Sequence, residues 1–77
     1  MIEKVNEVLY SVWNPIGVAD LPEDEYLSYA KKILEKYSNN NSAVDIAEYL
    51  LYIEDNVLLC SSKNRILSAE RISKILE

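Results

Sequence analysis

The sequence is poor in the residues that most enzymes and metal sites use. It has no histidine, one cysteine and one glycine among 77 residues. Without histidine it lacks the commonest general base and the commonest ligand of transition metals. The single cysteine, Cys60, cannot form an internal disulfide, and nothing in the sequence marks it as a nucleophile. We therefore expect a protein that is not an enzyme and that holds no metal or other cofactor.

Long apolar runs and an excess of basic residues are also missing. No stretch reaches the roughly 18 apolar residues that a membrane-spanning helix needs. The charged residues Glu3, Lys4 and Glu7 are unlike a signal peptide, so we expect a cytoplasmic protein without a membrane partner. A net charge of −5 disfavours nucleic acids, whose phosphates need neutralising cations. Eleven acidic residues lie within residues 1–55, whereas residues 56–77 are mildly basic, and this balance favours a basic protein partner.

The apolar residues, 49% of the chain, recur at helical spacing in four segments. No segment of useful length shows the alternation of apolar and polar residues that predicts a β-strand. The connections between segments are short, which favours antiparallel neighbours. The sequence thus predicts an all-α protein, a single domain over residues 1–77. We expect a compact up-down bundle of three long helices and a C-terminal one.

Helix-breaking and capping residues set the predicted ends of the first two helices. The first ends at Asn14-Pro15, because the residue before a proline avoids the helical conformation. The second is predicted to begin between Asp20 and Glu23, with Asp20 as its N-cap. Its predicted apolar stripe consists of Tyr26, Ala30, Ile33, Leu34 and Tyr37.

Serines are the predicted caps of the last two helices. Ser42 caps the third helix, with Asp45 in its first turn, and Ser61 or Ser62 caps the fourth. The apolar stripe predicted for the third helix is Ile46, Ala47, Leu50, Leu51, Ile53 and Val57. The inward residues predicted for the fourth are Ile66, Ala69, Ile72 and Leu76. Leu67 and Ile75 lie off this stripe.

The segment Trp13-Asn14-Pro15-Ile16-Gly17 holds the only tryptophan and the only glycine. A lone glycine is expected where the backbone needs a positive φ or a close approach. The segment is therefore interpreted as a fixed corner between two helices. Glu54 falls in the middle of the apolar arc of the third helix, so its carboxylate needs a hydrogen-bond donor. Candidate donors are the Trp13 indole, the backbone N–H groups of Ile16 and Gly17, a Tyr hydroxyl and Arg65, and we expect Glu54 to tie the corner to the third helix.

Six tyrosines and no phenylalanine make the aromatic content unusual. On the third helix, Tyr52 points away from the apolar arc, toward Asp45, Glu48 and Asp55, with Tyr49 at the edge. An exposed tyrosine among carboxylates is typical of a binding hot spot for a basic protein surface. The alternative is an ordinary solvated helix face.

Four carboxylates precede the second helix, at positions 20, 23, 24 and 25. Their successive positions point in different directions, whereas a metal ion needs oxygens that converge. Acidic residues in a first helical turn are favoured by the helix dipole, which is the simpler interpretation. Asp24 and Glu25 are nevertheless kept as a second acidic patch for a partner.

Three ordered motifs resemble a known family. They are Trp13 to Gly17, Pro22 to Tyr26 with Tyr29, and Ile46 to Leu50 with Ile53-Glu54. Together they are similar to the YugE-like family of small bacterial helical proteins of unknown function, whose pattern has Asp where this chain has Asn14 and Leu27. The resemblance implies a short all-helical domain from a bacterium and no established activity.

Two functions remain open at this point. The first is a monomeric immunity or antitoxin-like inhibitor that masks a basic toxin or enzyme domain. Its predicted contacts are Asp45, Glu48, Tyr49, Tyr52 and Asp55, with Asp24 and Glu25 as the second patch. The alternative is a structural or regulatory accessory protein that forms a homo-oligomer through Leu67 and Ile75.

Overall fold

Four α-helices follow one another in the computed structural model, which describes residues 1–18 and 20–77. They are α1 (Ile2–Val8), α2 (Leu27–Tyr37), α3 (Ala43–Ile53) and α4 (Arg65–Leu76). A π-helical segment continues α1 over Leu9–Trp13, and a second one continues α3 over Glu54–Leu58. The described part of the chain contains no strand, and the predicted all-α four-helix bundle is confirmed.

The core lies where α1 meets α2 and α4, and where α3 packs along α4. Burial of apolar surface in this shared core is the main force that stabilises the fold. The buried apolar side chains are Val5, Val8, Leu9, Trp13, Tyr26, Ala30, Ile33, Ile46, Leu50, Ile53, Ala69 and Ile72. No helix among the described residues is both long and apolar enough to cross a membrane.

The first helical stretch ends where the sequence predicted. The Asn14 N–H donates to the Leu9 carbonyl at 2.8 Å and closes the π turn. Asn14 then takes a φ of 25°, a conformation that asparagine tolerates better than most residues. The chain continues through the buried Pro15, which cannot extend a helix.

The predicted start of the second helix is wrong. Asp20 is not its N-cap, because α2 begins at Leu27 with Tyr26 in the N-cap position. Residues 22–27 instead form successive turns, in which the Glu25 and Leu27 N–H groups donate to the carbonyls of Pro22 and Asp24. The fully buried Tyr26 side chain sets this boundary, because its contacts hold the backbone at a non-helical φ of −104° and ψ of 11°.

The predicted cap of α3 is confirmed, but part of its apolar stripe is not. The Ser42 hydroxyl accepts from the Asp45 N–H at 3.4 Å. In contrast, Leu51 is 39% exposed and Val57 is 53% exposed. Leu51 faces a groove beside α4, and the π-helical segment shifts the phase of Val57 by its additional residue.

The predicted cap of α4 is wrong, whereas three of its four predicted inward residues, Ala69, Ile72 and Leu76, are buried or pack against the core. The helix begins at Arg65, with Asn64 in the N-cap position and no side-chain cap bond. Ser62 lies farther upstream, where its hydroxyl donates to the Trp13 carbonyl. The inward face starts from Arg65 and continues through the buried Ser68, Ala69 and Ile72, because Arg65 reaches Glu54. Ile66, which the sequence placed in the core, is therefore 59% exposed.

Candidate protein-binding surface

Glu54 connects three segments of the chain, as the sequence predicted in part. Its side chain is buried, and Oε2 accepts from the Trp13 indole Nε1 at 2.7 Å. Oε1 accepts from Arg65 Nη1 at 2.6 Å and from the Ser62 backbone N–H at 3.2 Å. Trp13 and Arg65 were foreseen as donors, whereas the Ser62 amide was not. We call Glu54, Trp13, Ser62 and Arg65 the Glu54 cluster.

The corner formed by residues 13–17 uses its polar groups internally. Asn14 Oδ1 accepts from the Tyr26 hydroxyl at 2.9 Å and from the Gly17 N–H at 3.2 Å. The same hydroxyl accepts from the Ile16 N–H at 3.2 Å, and Gly17 has the expected positive φ of 71°. Burial raises the pKa of Tyr26 above 10.0, so the phenol stays neutral and keeps its proton for Asn14. Since Asn14 acts through its side-chain oxygen, an aspartate at this position would supply the same acceptor.

The α3 residues proposed for partner binding fall into two groups. Tyr52 is 58% exposed, and its neighbours four residues before and three after, Glu48 and Asp55, are exposed too. Residues at this spacing lie next to each other on a helix surface. We call Glu48, Tyr52 and Asp55 the α3 ridge, although Asp55 lies in the π-helical segment that continues α3. Asp45 is half-buried, at the cap of the helix, with the Asn40 amide 3.5 Å from its carboxylate.

Tyr49 lies at the edge of the ridge and faces α2. Its ring is 6.1 Å from the Tyr37 ring, and the Lys36 ammonium lies 5.5 Å from its centroid. Burial is the main reason that the pKa of Tyr49 is raised, with the neighbouring Tyr37 contributing next. Tyr49 therefore supports the ridge more than it contacts solvent.

The second acidic patch is separate from the ridge. Asp24 and Glu25 are exposed in the turns that precede α2. The structure thus places Glu48, Tyr52 and Asp55 on one face and these two carboxylates on another element.

A groove of about 320 Å³ runs between α3 and α4, and the sequence did not predict it. Its exposed apolar side chains are Val44 at 67%, Leu51 at 39% and Ile66 at 59%. The full lining is Ala43, Val44, Ala47, Glu48, Leu51, Arg65, Ile66 and Glu70. The sequence assigned Leu51 and Ile66 to the core, so their contribution to a surface was missed. Glu48 belongs to both the ridge and the groove.

A second groove, between α2 and α3, carries the opposite charge. Lys32 and Lys36, one helical turn apart on α2, line its wall together with Tyr29, Tyr49 and Tyr52. The i, i+4 spacing of the lysines was the available sequence signal. Tyr52 therefore stands between a lysine-lined groove and the acidic residues of the ridge.

The described residues offer a candidate contact surface. Within the described ranges, no three His, Cys, Asp or Glu side chains are grouped to hold a metal ion. Comparison of the chain with protein-family models, curated proteins and solved structures gives no match. The ridge and its neighbouring groove are the strongest candidates for a functional site.

Proposed function

We propose that this protein is a non-enzymatic binding module that uses the α3 ridge to bind a basic protein. The observation that carries the proposal is the position of Tyr52, more than half exposed near the end of α3, with the exposed carboxylates of Glu48 before it and Asp55 after it. Large aromatic side chains are enriched among interface residues that dominate binding energy. The Ser42 cap stabilises the start of α3, the helix that carries Glu48 and Tyr52.

The charges of the ridge and of the whole chain support a cationic partner. Glu48 and Asp55 add to a net charge of −5, which accelerates encounter with a positively charged surface. Tyr52 then slows dissociation by burying its ring. Asp24 and Glu25 would widen the acidic field as a second patch.

The most concrete form of the proposal is an immunity or antitoxin-like inhibitor. Such a protein masks a basic toxin or enzyme domain in the cytoplasm, and it acts as a monomer. Small size and negative charge support this form. Membership of the YugE-like family stays a prediction and adds no activity of its own.

The test compares partner binding by matched variants of the full chain. Proteins retained from a bacterial lysate are quantified for wild type, Tyr52→Ala, Glu48→Lys and the control Glu7→Lys, which makes the same charge change on the exposed face of α1. A basic protein should be retained by wild type and the control, and lost by both ridge variants. With the purified partner, Tyr52→Ala should raise Kd about 30-fold, since a hot-spot tyrosine contributes about 2 kcal/mol. If wild-type affinity persisted in both ridge variants, the proposal would be wrong.

A further inference from the structure

The groove between α3 and α4 is an apolar strip of definite length. Val44, Ala47 and Leu51 follow one another at spacings of three and four residues along α3, and Ile66 faces them from α4. At 1.5 Å per residue, the strip from Val44 to Leu51 is about 10 Å long, or two helical turns. An amphipathic helix presents apolar side chains over the same distance when they recur at i, i+3 or i+4, and i+7.

The charge presented by the groove is acidic. Glu48 borders it on α3 and Glu70 on α4, and both are exposed. Arg65 also lines the groove, but its guanidinium is 2.6 Å from the buried carboxylate of Glu54. This pairing leaves the two rim carboxylates without an equivalent cation among the lining residues.

A second copy of the chain fits this groove poorly. A two-fold interface uses the same surface on both subunits, so Glu48 and Glu70 of one copy would approach those of the other. Like charges brought together at an interface oppose association. The apolar strip and its rims suit a cationic partner better.

We propose that the α3–α4 groove binds an amphipathic helix of the basic partner. Aliphatic side chains of that helix pack against Val44, Leu51 and Ile66, and its Lys or Arg residues flank them and pair with Glu48 and Glu70. The inference rests on the proposed function, because Glu48 belongs to both the ridge and the groove. It adds the secondary structure and the side-chain pattern of what is bound.

The probe is a synthetic helical peptide of about 16 residues, long enough to form a helix in isolation. Leucines occupy its i, i+3 or i+4, and i+7 positions, and lysines and alanines occupy the rest. A scrambled peptide of the same composition keeps the charge but has no apolar face. Binding is measured by fluorescence anisotropy of the labelled peptides at two salt concentrations.

A matched pair of valine substitutions tests the location. Val44 lines the groove and is 67% exposed, whereas Val57 lies outside it and is 53% exposed. We expect Val44→Ser and Ile66→Ser each to weaken binding of the amphipathic peptide at least tenfold. Val57→Ser should bind like wild type, and the scrambled peptide should bind at least tenfold more weakly. Thermal melts of all variants confirm that each is folded.

Four outcomes would overturn the inference. The first two are that wild type does not bind the amphipathic peptide, and that it binds both peptides equally. The third is that Val44→Ser and Ile66→Ser bind the amphipathic peptide like wild type. The fourth is that light scattering shows a dimer that Ile66→Ser dissociates. The last outcome would assign the groove to a second copy. If the groove variants keep the native partner and Tyr52→Ala loses it, only the groove assignment fails. If Tyr52→Ala and Glu48→Lys both keep that partner, the proposed function fails.

Discussion

Two regions of the molecule place their side chains in opposite ways. One is the corner with its Glu54 cluster, and the other is the outer face of α3 and α4. At the corner, the Tyr26 hydroxyl and the Asn14 amide oxygen each have hydrogen-bond partners inside the protein, and Glu54 is buried with three donors. On the outer face, large side chains such as Tyr52 and Ile66 are more than half exposed. The first region fixes the fold, and the second is free to bind. Substitutions should therefore separate stability from binding.

Loss of the Glu54 carboxylate should have the largest effect on stability. Glu54→Ala leaves the Trp13 N–H and the Arg65 guanidinium without their acceptor. We expect the free energy of unfolding to fall by about 3 kcal/mol, because the buried Trp13 N–H loses its acceptor and the truncated side chain leaves a cavity. Urea denaturation measures this, and Glu54→Gln, which keeps one acceptor oxygen, should lose less. A Glu54→Ala protein as stable as wild type would show that the cluster does not hold the fold.

Removal of one hydroxyl at the corner should come next. Tyr26→Phe leaves the Ile16 N–H without its acceptor and takes one donor from Asn14. We expect a loss of about 2 kcal/mol, the desolvation cost of a polar group left unpaired. Tyr10→Phe is the control, and it should leave the urea midpoint nearly unchanged.

The same tyrosine should make stability depend on alkaline pH. Burial raises the pKa of Tyr26 above the unfolded value of 10.0. Below about pH 10 the phenol is neutral in both states, and its contribution is fully present. Above that pH the unfolded chain loses the proton first, so stability falls as pH rises through the folded pKa. Tyr26→Phe should show a shallower fall in urea midpoint between about pH 9 and pH 11, although Tyr37 and Tyr49, whose pKa values are also raised by burial, remain.

Substitutions at Gly17 and Leu59, which both have a positive φ, should change the free energy of unfolding less, and in opposite directions. Gly17 has a φ of 71°, and a Cβ added there meets nothing within 4 Å. Gly17→Ala should cost about 1 kcal/mol for backbone reasons alone, whereas Gly17→Asn should cost less. Leu59 has a φ of 55° and is 79% exposed, so Leu59→Gly should be neutral or slightly stabilising. Thermal melts decide both, and a stabilising Gly17→Ala would contradict the argument.

Substitutions on the outer face should change stability least. Tyr52→Ala and Ile66→Ser are expected to stay within about 0.5 kcal/mol of wild type, as surface substitutions usually do. Their effect should appear in partner binding alone. A large loss of stability in either variant would remove the contrast between the two regions.

The sequence predicted the parts of the fold that depend on local chemistry. Asn14-Pro15 ends the first helical stretch and Ser42 caps α3, both as predicted. Glu54 accepts from the Trp13 indole, as expected of a carboxylate that lies in an apolar arc and needs a donor. Tertiary contacts decided the rest. Tyr26 packs into the core and delays α2 to Leu27, while Arg65 instead of Ile66 faces inward at the start of α4, where it pairs with Glu54.

Of the candidate site, the ridge could be predicted from the sequence and the groove could not. Helical spacing gave the exposed positions of Glu48, Tyr52 and Asp55, because α3 and the π-helical segment after it form one continuous helical stretch. The groove needed the phase of a second helix, and the sequence had placed Ile66 in the core. Of the two residues suggested for a homo-oligomer, Leu67 is 41% exposed, whereas Ile75 packs against the core.

The two π-helical segments set the direction of the side chains at their ends. A π turn contains one residue more than an α turn, and the turn over Leu9–Trp13 ends at the indole that reaches Glu54. If Leu9–Trp13 continued α1 as an ordinary α-helix with no residue removed, the indole would be rotated by about 100° away from Glu54. The π turn therefore directs the indole at the carboxylate, and a chain one residue shorter in this segment would reach the same position with an ordinary α-helix.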